Sequence, residues 1–477
     1  MTETSGMRAL LDLEDAAPAV LFETIPGLDV PIWPLARWPF SRAIAETDIG
    51  TALPVYQRPT ARQRALIAAR RMIPNRHSTR HAPKADHLFV VSGWTKVRGQ
   101  GGYRNWLADD FSEALGESSI VAQDAYLDAL SGADQRPLNR STYTYALANE
   151  RIIRRTARRP LGPQDRARVE RALRAIFDLV AFDVTDAGRE RAIADALGRA
   201  DRARHARDEF ARLLDRVTPR RIYMQTAAYG NRAPEIALAH ERGIEVAELQ
   251  HGWIGSSHAA YNFGAAMREP AMVRCLPDTL LGYGEYWGRD IRFPGRFVPI
   301  GKPTLDRTTL NVLPWADRPR TVLFVSSNFE HDLVDSALLA VRDALPSDWS
   351  LVLRPHPVER ATAAQRHAAV LAHDGIELDL SVDGGEALAR SRAVIGFSST
   401  MLFEALAYGC HTAVLESVLA EHYASADIFP TRIDRELTQV DVAVQGFLSP
   451  PTAVDRTLSD SVWRPDGTSA FADFARL

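Results

Sequence analysis

The order of short apolar runs in the second half of the chain is what most restricts its fold. Residues 321–326, 350–353, 376–380, 393–397 and 412–415 read as strands, and helix-compatible stretches near 333–344, 361–372, 386–389 and 401–408 separate them. Strands that alternate with helices do not pair as hairpins; each helix carries the chain back to the same edge, so the strands run parallel and the helices cover both faces. Open sheets of this kind bind ligands where their strands end. Two of these runs end in Arg354-Pro355-His356-Pro357 and in Phe397-Ser398-Ser399-Thr400, the latter followed by Glu404-Ala405 and Gly409. Free N–H groups at a helix N-terminus, the hydroxyls of Ser398, Ser399 and Thr400, the Arg354 guanidinium and the His356 imidazole can converge on one anion, as a nucleotide phosphate requires. Pro357 restrains His356 to extended conformations at the strand's end. Each motif alone has a plainer reading, a strand terminator and a helix cap. Their occurrence at successive strand ends points to a site.

A chain of 477 residues is too long for one comfortable core. Residues 1–300 are expected to form a Rossmann-like domain with a helical, arginine-rich insertion. Residues 301–320, polar with three prolines, read as a linker, and 321–477 as a second Rossmann-like domain. Two such α/β domains facing across a cleft are the simplest architecture. A composition of 46% hydrophobic and 25% charged residues is that of an ordinary globular protein, and a formal charge of −3 gives no global field to attract nucleic acid. Lysine occurs only at Lys84, Lys96 and Lys302. Two cysteines, Cys275 and Cys410, cannot make a metal cluster between them or an exported disulfide framework. With no basic-then-apolar leader in residues 1–15 and no apolar run of ~18 residues, a cytoplasmic protein is expected.

In the first half, residues 222–226, 233–242 and 245–250 form a βαβ pattern with Pro234 in the helix's first turn and Gly243 at its end. Residues 19–22 and 87–92 are expected to add strands to the same sheet, and 151–217 to be mostly helical. The prolines and tryptophans of 26–80 argue against regular elements there. Gly99-Gln100-Gly101-Gly102 lacks phosphate-loop spacing and reads as a turn. Asp109-Asp110 and Asp379 with Asp383 lack accompanying ligands and read as solvated acids. Arg151, Arg154, Arg155, Arg158 and Arg159 would line one helix face, either solvated or turned toward an anionic membrane or a lipid-linked acceptor. His251, following a strand and preceding Gly252, has an ordinary pKa of about 6.5 that suits a general base, and equally suits a strand-end hydrogen-bonding role. Glu248, three residues earlier, would face the other way on a regular strand. His258, Tyr261 and Asn262 form a polar loop able to cover an acceptor or simply to face solvent.

These motifs resemble the GT-B glycosyltransferases, and in particular the bacterial surface-polysaccharide enzymes with "HP" and "SS" elements: sialyl-, polysialyl- and Kdo-transferases and the CDP-glycerol glycerophosphotransferases. The resemblance covers roughly residues 221–417. It implies that His356-Pro357 and Ser398-Ser399 hold the nucleotide's phosphate and that Glu404, with Ala405 and Gly409, contacts the ribose. It also implies that Gln250-His251-Gly252 lies on the acceptor side with His258 and Tyr261. An Asp-Asp-Gly acidic base motif of some sialyltransferases is missing from the sequence, which leaves the base open between His251 and other groups. The implied activity is inverting, metal-independent transfer from a nucleotide-activated sugar, CMP-Kdo or a CMP-nonulosonate, to a glycan or lipid-linked acceptor in surface glycan or capsule biosynthesis. The donor is a co-substrate and no other cofactor is implied. The alternatives are a CDP-glycerol-type polyol-phosphate transferase and a non-catalytic nucleotide-sugar-binding scaffold of the same shape.

Overall fold

The computed structural model describes residues 4–48, 78–99, 101–124, 137–310, 312–326, 331–357, 359–381, 384–397, 399–451 and 456–477. They fall into a first unit of Glu3–Gly282, Gly288–Pro299 and Thr468–Leu477 and a second of Tyr283–Trp287 and Ile300–Gly467. Residues 301–320, expected as a linker, fold within the second unit, where Pro303 opens the helix Pro303–Thr309. The C-terminal stretch, expected in the second unit, groups instead with the first. Phe471 on the helix Gly467–Arg476 packs among Phe89, Phe111 and Tyr223, and Arg221 donates to the Phe474 carbonyl at 2.9 Å.

The first unit is built on strands β1 (His87–Val91), β2 (Lys96–Gly99), β3 (Gly102–Asn105), β4 (Ser119–Gln123), β5 (Thr142–Thr144), β6 (Arg221–Met224), β7 (Glu245–Leu249), β8 (Thr279–Gly282) and β9 (Arg296–Pro299). Seven of them form a sheet in the order β5-β4-β1-β6-β7-β8-β9, parallel at every pairing, while β2 and β3 make an antiparallel hairpin. Burial on both faces explains why Leu88-Phe89-Val90-Val91 is continuously apolar. Helices Ala146–Arg158, Pro163–Leu179 and Asp186–Val217 fill the region expected to be helical. The arginine face is only partly free: Arg151 and Arg155 reach the fully buried carboxylate of Glu209 at 2.8 and 3.1 Å. No described helix is long and apolar enough to cross a membrane.

Two expectations for the N-terminal region are corrected. Residues 19–22 form a single 3-10 turn after Pro18 rather than a strand, with the Leu21 N–H bonded to the Pro18 carbonyl. The segment thought irregular contains the helix Ile32–Asp48. Pro34 sits in its first turn, where no N–H is needed, and complete burial of Trp33 and Phe40 outweighs the interior Pro39. Residues 49–77 of that segment lie outside the described residues.

The second unit has strands β10 (Thr321–Val325), β11 (Ser350–Arg354), β12 (Ile376–Leu378), β13 (Ala393–Gly396), β14 (His411–Leu415) and β15 (Arg432–Ile433), all parallel, in the order β12-β11-β10-β13-β14-β15. Val322, Phe324, Leu351, Leu353 and Ile395 pack against Val334, Leu338 and Val341 of the helix His331–Ala344. The α/β class and the two Rossmann-like sheets expected from the alternation are therefore present. The order places the ends of β10, β11 and β13 side by side.

One buried ion pair organises the first unit's N-terminus. Glu14, on the helix Ser5–Ala16, accepts from Arg37 Nε at 2.5 Å, from the Trp33 indole at 2.7 Å and from the Gly264 N–H at 2.8 Å. Arg37 spends its other N–H groups on the carbonyls of Ala259 and Asn262 and faces the Phe263 ring at 4.3 Å. Breaking such a pair leaves a buried charge uncompensated. Arg37→Ala should therefore lower the free energy of unfolding by roughly 3–5 kcal/mol, read from denaturant titrations followed by tryptophan fluorescence. A loss below about 1 kcal/mol, the worth of a surface pair, would contradict it.

Candidate functional site

In the second unit the ends of three neighbouring strands meet. Ser326, just past β10, donates its N–H to the Arg354 carbonyl at 3.0 Å and accepts the His356 N–H on its hydroxyl at 3.2 Å. The chain then turns, with the Glu359 N–H bonded to the His356 carbonyl at 2.8 Å, and brings Arg360 back toward Arg354. Arg354 is almost wholly buried, its guanidinium paired with Asp379 and bonded to the Ser381 hydroxyl at 3.0 Å. Asp379 is thus the partner of Arg354 and not a solvated acid; Asp383 lies outside the described residues. Burial and then the charge of Arg354 lower the pKa of Arg360, with Asp379 opposing them, and the Arg360 Nε is buried without a hydrogen-bond partner. Burial and the charge of Arg360 hold His356 below the usual imidazole value, so the ring is neutral near pH 7. Pro357 is exposed.

Ser399 caps the helix Thr400–Ala407, its hydroxyl accepting the Met401 N–H at 3.2 Å. Ser398 lies outside the described residues. Glu404, one turn into that helix, accepts from Lys302 Nζ at 2.7 Å, and the ammonium stands 5.6 and 5.5 Å from the ring centres of Tyr283 and Trp463. The structure therefore gathers Arg354, His356 and Arg360 at one strand end and gives Arg354 a counter-ion of its own. Arg360 was missed by the sequence reading although it closes the same short run as His356.

In the first unit the acceptor-side candidates form an aromatic cluster at the ends of β6 and β7. Gln250 is buried, its amide donating to the Gly252 carbonyl at 2.9 Å, which fixes the turn carrying His251. Tyr229 follows β6 on a single turn closed by Gly230 at φ 77°, where a Cβ would stand 1.7 Å from the Pro34 carbonyl oxygen, so glycine is required. Arg199 holds that turn by donating to the carbonyls of Tyr229 and Leu35, each at 3.1 Å. The Tyr229 hydroxyl lies 3.4 Å from His251 Nε2 and 3.2 Å from His258 Nε2. The His258 ring stacks between Trp38 and Trp253, with centroids 5.9 and 5.8 Å away. Trp94, 40% exposed, presents its edge to His251 at 5.9 Å.

Strand β7 ends at Leu249, so His251 lies on the turn beyond it and the strand period does not relate the two; Glu248 reaches the Tyr229 turn. Its carboxyl accepts the Ala228 N–H at 2.6 Å and the Tyr261 hydroxyl at 2.8 Å. Burial pushes the Glu248 pKa up to about 7 against those hydrogen bonds. Burial pushes His251 down to about 4, opposed by the Leu249 backbone, and His258 down to about 3, helped by the charges of His251 and Arg37. Tyr229 and Glu248 form the centre of this cluster, and nothing in sequence spacing joins them. Asp109, expected to be solvated, is buried with a pKa raised to about 6 and accepts the Asn105 N–H at 2.8 Å; Asp110 pairs with Arg104. Among the described residues no group of three or more His, Cys, Asp or Glu side chains comes together to hold a metal ion.

No protein-family model matches the chain, and no match was found among curated proteins. Among solved structures it is similar to a UDP-GlcNAc 2-epimerase from Methanocaldococcus jannaschii in complex with UDP-GlcNAc and UDP, at 10% identity over 82% of this chain and 98% of that one, TM-score 0.45. It is also similar to the S. aureus MnaA–UDP complex (13% identity, 80% and 93% coverage, TM-score 0.44) and to the kitacinnamycin glycosyltransferase (14%, 83% and 99%, TM-score 0.47). Likeness at this level leaves function to the residues.

The buried groups of the first unit set opposite pH dependences. Glu248 holds its proton more tightly folded than unfolded, so its contribution favours folding below about pH 4.5 and is lost as the pH rises through 7, roughly 3 kcal/mol in all. His251 and His258 stay neutral when folded, so theirs is present above pH 6.5 and lost as the pH falls toward 4 and 3. Glu248→Gln should therefore gain stability relative to the parent as the pH rises between about 5 and 8, whatever fixed cost the amide brings. Thermal unfolding midpoints of both proteins across that range measure this; a constant difference would contradict the buried carboxyl's raised pKa.

Proposed function

We propose that the chain is an inverting, metal-independent glycosyltransferase of the GT-B kind, taking a nucleotide-activated sugar, with CMP-Kdo or a CMP-nonulosonate favoured, in assembly of a bacterial surface glycan. The observation that carries this reading is Arg360, a half-buried side chain whose Nε is buried without a hydrogen-bond partner, beside Arg354 and His356 where strand β11 ends. A cation in that condition is stabilised by an incoming anion with several acceptor oxygens, and a nucleotide phosphate supplies them.

Displacement of the nucleotide develops negative charge on the departing phosphate and positive charge on the sugar. Arg360 and a neutral His356 offer N–H donors to the first, with the N-terminus of the helix Thr400–Ala407 as a further donor, and Glu404, paired with Lys302, is proposed to contact the ribose. Because those groups supply the neutralisation, no metal is required by the chemistry. His251, neutral at pH 7, is in the protonation state of a general base toward the acceptor hydroxyl. The acceptor is a glycan or lipid-linked glycan. Arg154 and Arg158, exposed on the arginine-rich helix, suit contact with an anionic membrane surface.

Arg360→Ala should weaken CMP binding by roughly 1.5–3 kcal/mol, and Ser398→Ala with Ser399→Ala by roughly 1–3 kcal/mol, the latter with the fold intact but with the roughly 0.5–2 kcal/mol of stability that the Ser399 cap supplies lost as well. Calorimetry decides it: unchanged CMP, CDP, UDP and GDP affinities in the Arg360 variant would remove the nucleotide site. Turnover of a CMP-sugar should survive exhaustive chelation, and a strict need for magnesium or manganese would overturn the metal-independent mechanism.

A further inference from the structure

The hydrogen bonds around Tyr229 have a direction, because both ends of the network are fixed. The Ala260 N–H can only donate, so His258 Nδ1 accepts it at 3.2 Å and the neutral ring carries its proton on Nε2, toward Tyr229. At the other end an ionised Glu248 can only accept, and it takes the Tyr261 hydroxyl proton. Tyr261 has then spent its proton, so its hydrogen bond with Tyr229 is made with the Tyr229 proton. The Tyr229 oxygen, with two lone pairs, receives the Nε2–H of His258 and that of His251. This leaves the lone pair of His251 on Nδ1, a buried atom that makes no well-formed hydrogen bond, while the nearby Leu249 carbonyl favours a proton arriving on the ring.

We propose that Glu248 is the proton reservoir of the acceptor site, a positioning residue connected to His251 through Tyr261 and Tyr229; this rests on the glycosyl-transfer reading above. As the acceptor oxygen bonds to the anomeric carbon, its O–H bond breaks and the proton reaches His251 Nδ1. The Nε2 proton passes to the Tyr229 oxygen, the Tyr229 proton to the Tyr261 oxygen, and the Tyr261 proton to Glu248 Oε1. One proton moves from the acceptor to the carboxylate, His251 ends neutral with its proton on Nδ1, and nothing is oxidised or reduced. Glu248, at about 7, is a better resting place for that proton than His251, at about 4. Arg37, paired with Glu14, is the charge that faces His258, whereas Glu248 meets Tyr261 and the backbone of Ala227 and Ala228.

The test uses the unliganded full chain. Its histidines are labelled with ¹⁵N for NMR, and the Glu248 carboxyl is followed by infrared difference spectroscopy between roughly pH 5.5 and 8.5. The Glu248 band should titrate in that window, and the His251 ring nitrogens should shift with the same midpoint while the ring stays neutral. In Glu248→Gln the His251 shifts should become flat. In Tyr229→Phe and Tyr261→Phe they should also become flat while the Glu248 band still titrates, which separates loss of connection from loss of fold. A Glu248 band that does not titrate there, or His251 shifts indifferent to Glu248→Gln, overturns the proposal. Single-turnover transfer supplies the second readout: Tyr229→Phe should slow it by about tenfold or more and flatten its pH profile with nucleotide affinity unchanged. A coupled chain in a protein that binds no nucleotide would sink the transferase reading alone, and nucleotide binding with an uncoupled His251 would sink this inference alone.

Discussion

The ion pair of Glu14 and Arg37 is the contact on which the first unit's candidate site depends. Each partner is buried and each also bonds the backbone of the 259–264 segment, more than 200 residues along the chain, while Glu14 additionally accepts from the Trp33 indole. Arg37 donates to Ala259 and Asn262, the residues that bracket Tyr261, while Trp38 beside it stacks on His258. Replacing such a pair with apolar residues often leaves stability little changed, so a charge pair here is best understood through geometry: two carbonyls and an N–H of one turn are fixed by a single fork-shaped donor and its carboxylate. The N-terminal helices are in this sense part of the candidate site although none of their residues carries a chemical motif.

The two candidate sites handle charge in opposite ways. In the second unit, guanidiniums crowd one strand end, and Asp379, the carboxylate that acts on Arg360 there among the described residues, is already engaged by Arg354. In the first unit the titratable groups are kept neutral by burial, with the guanidinium of Arg37 further opposing protonation of His258. An environment rich in fixed cations suits a departing phosphate, and a neutral hydrogen-bonded one suits the movement of a single proton.

Much of the scaffold was legible in the sequence because periodicity reports burial directly. The apolar runs 350–353 and 393–397, flanked by helix signals, became β11 and β13 to within one residue at their ends. The 19–22 and 26–80 stretches misled for local reasons. Four apolar residues after Pro18 are as compatible with one tight turn as with a strand, and Pro34 and Pro39 obscured a helix whose stability comes from burying Trp33 and Phe40. At the site, His251, His258, Tyr261 and Gln250 are neighbours because one loop carries them, which a motif can record. Tyr229 reaches them from the end of β6, and Arg360 returns to Arg354 through a turn; neither placement leaves a periodic trace. The strand-period argument that set Glu248 apart from His251 did not apply, because β7 ends at Leu249, and the two tyrosines between these residues leave no trace in spacing.

The order of that cluster carries a chemical consequence. A histidine held by a phenol has a defined placement, and the partial burial of its ring lowers its affinity for a proton by disfavouring the charged form. Precise placement and strong basicity therefore oppose one another in a single buried imidazole. A carboxyl under the same burial moves the other way, because its charged form is the unprotonated one, and Glu248 gains the proton affinity that His251 loses. Two groups of opposite charge type, placed in one dry cluster and joined by hydroxyls, are thereby driven past each other in proton affinity. The ring orients and accepts, and the carboxyl retains.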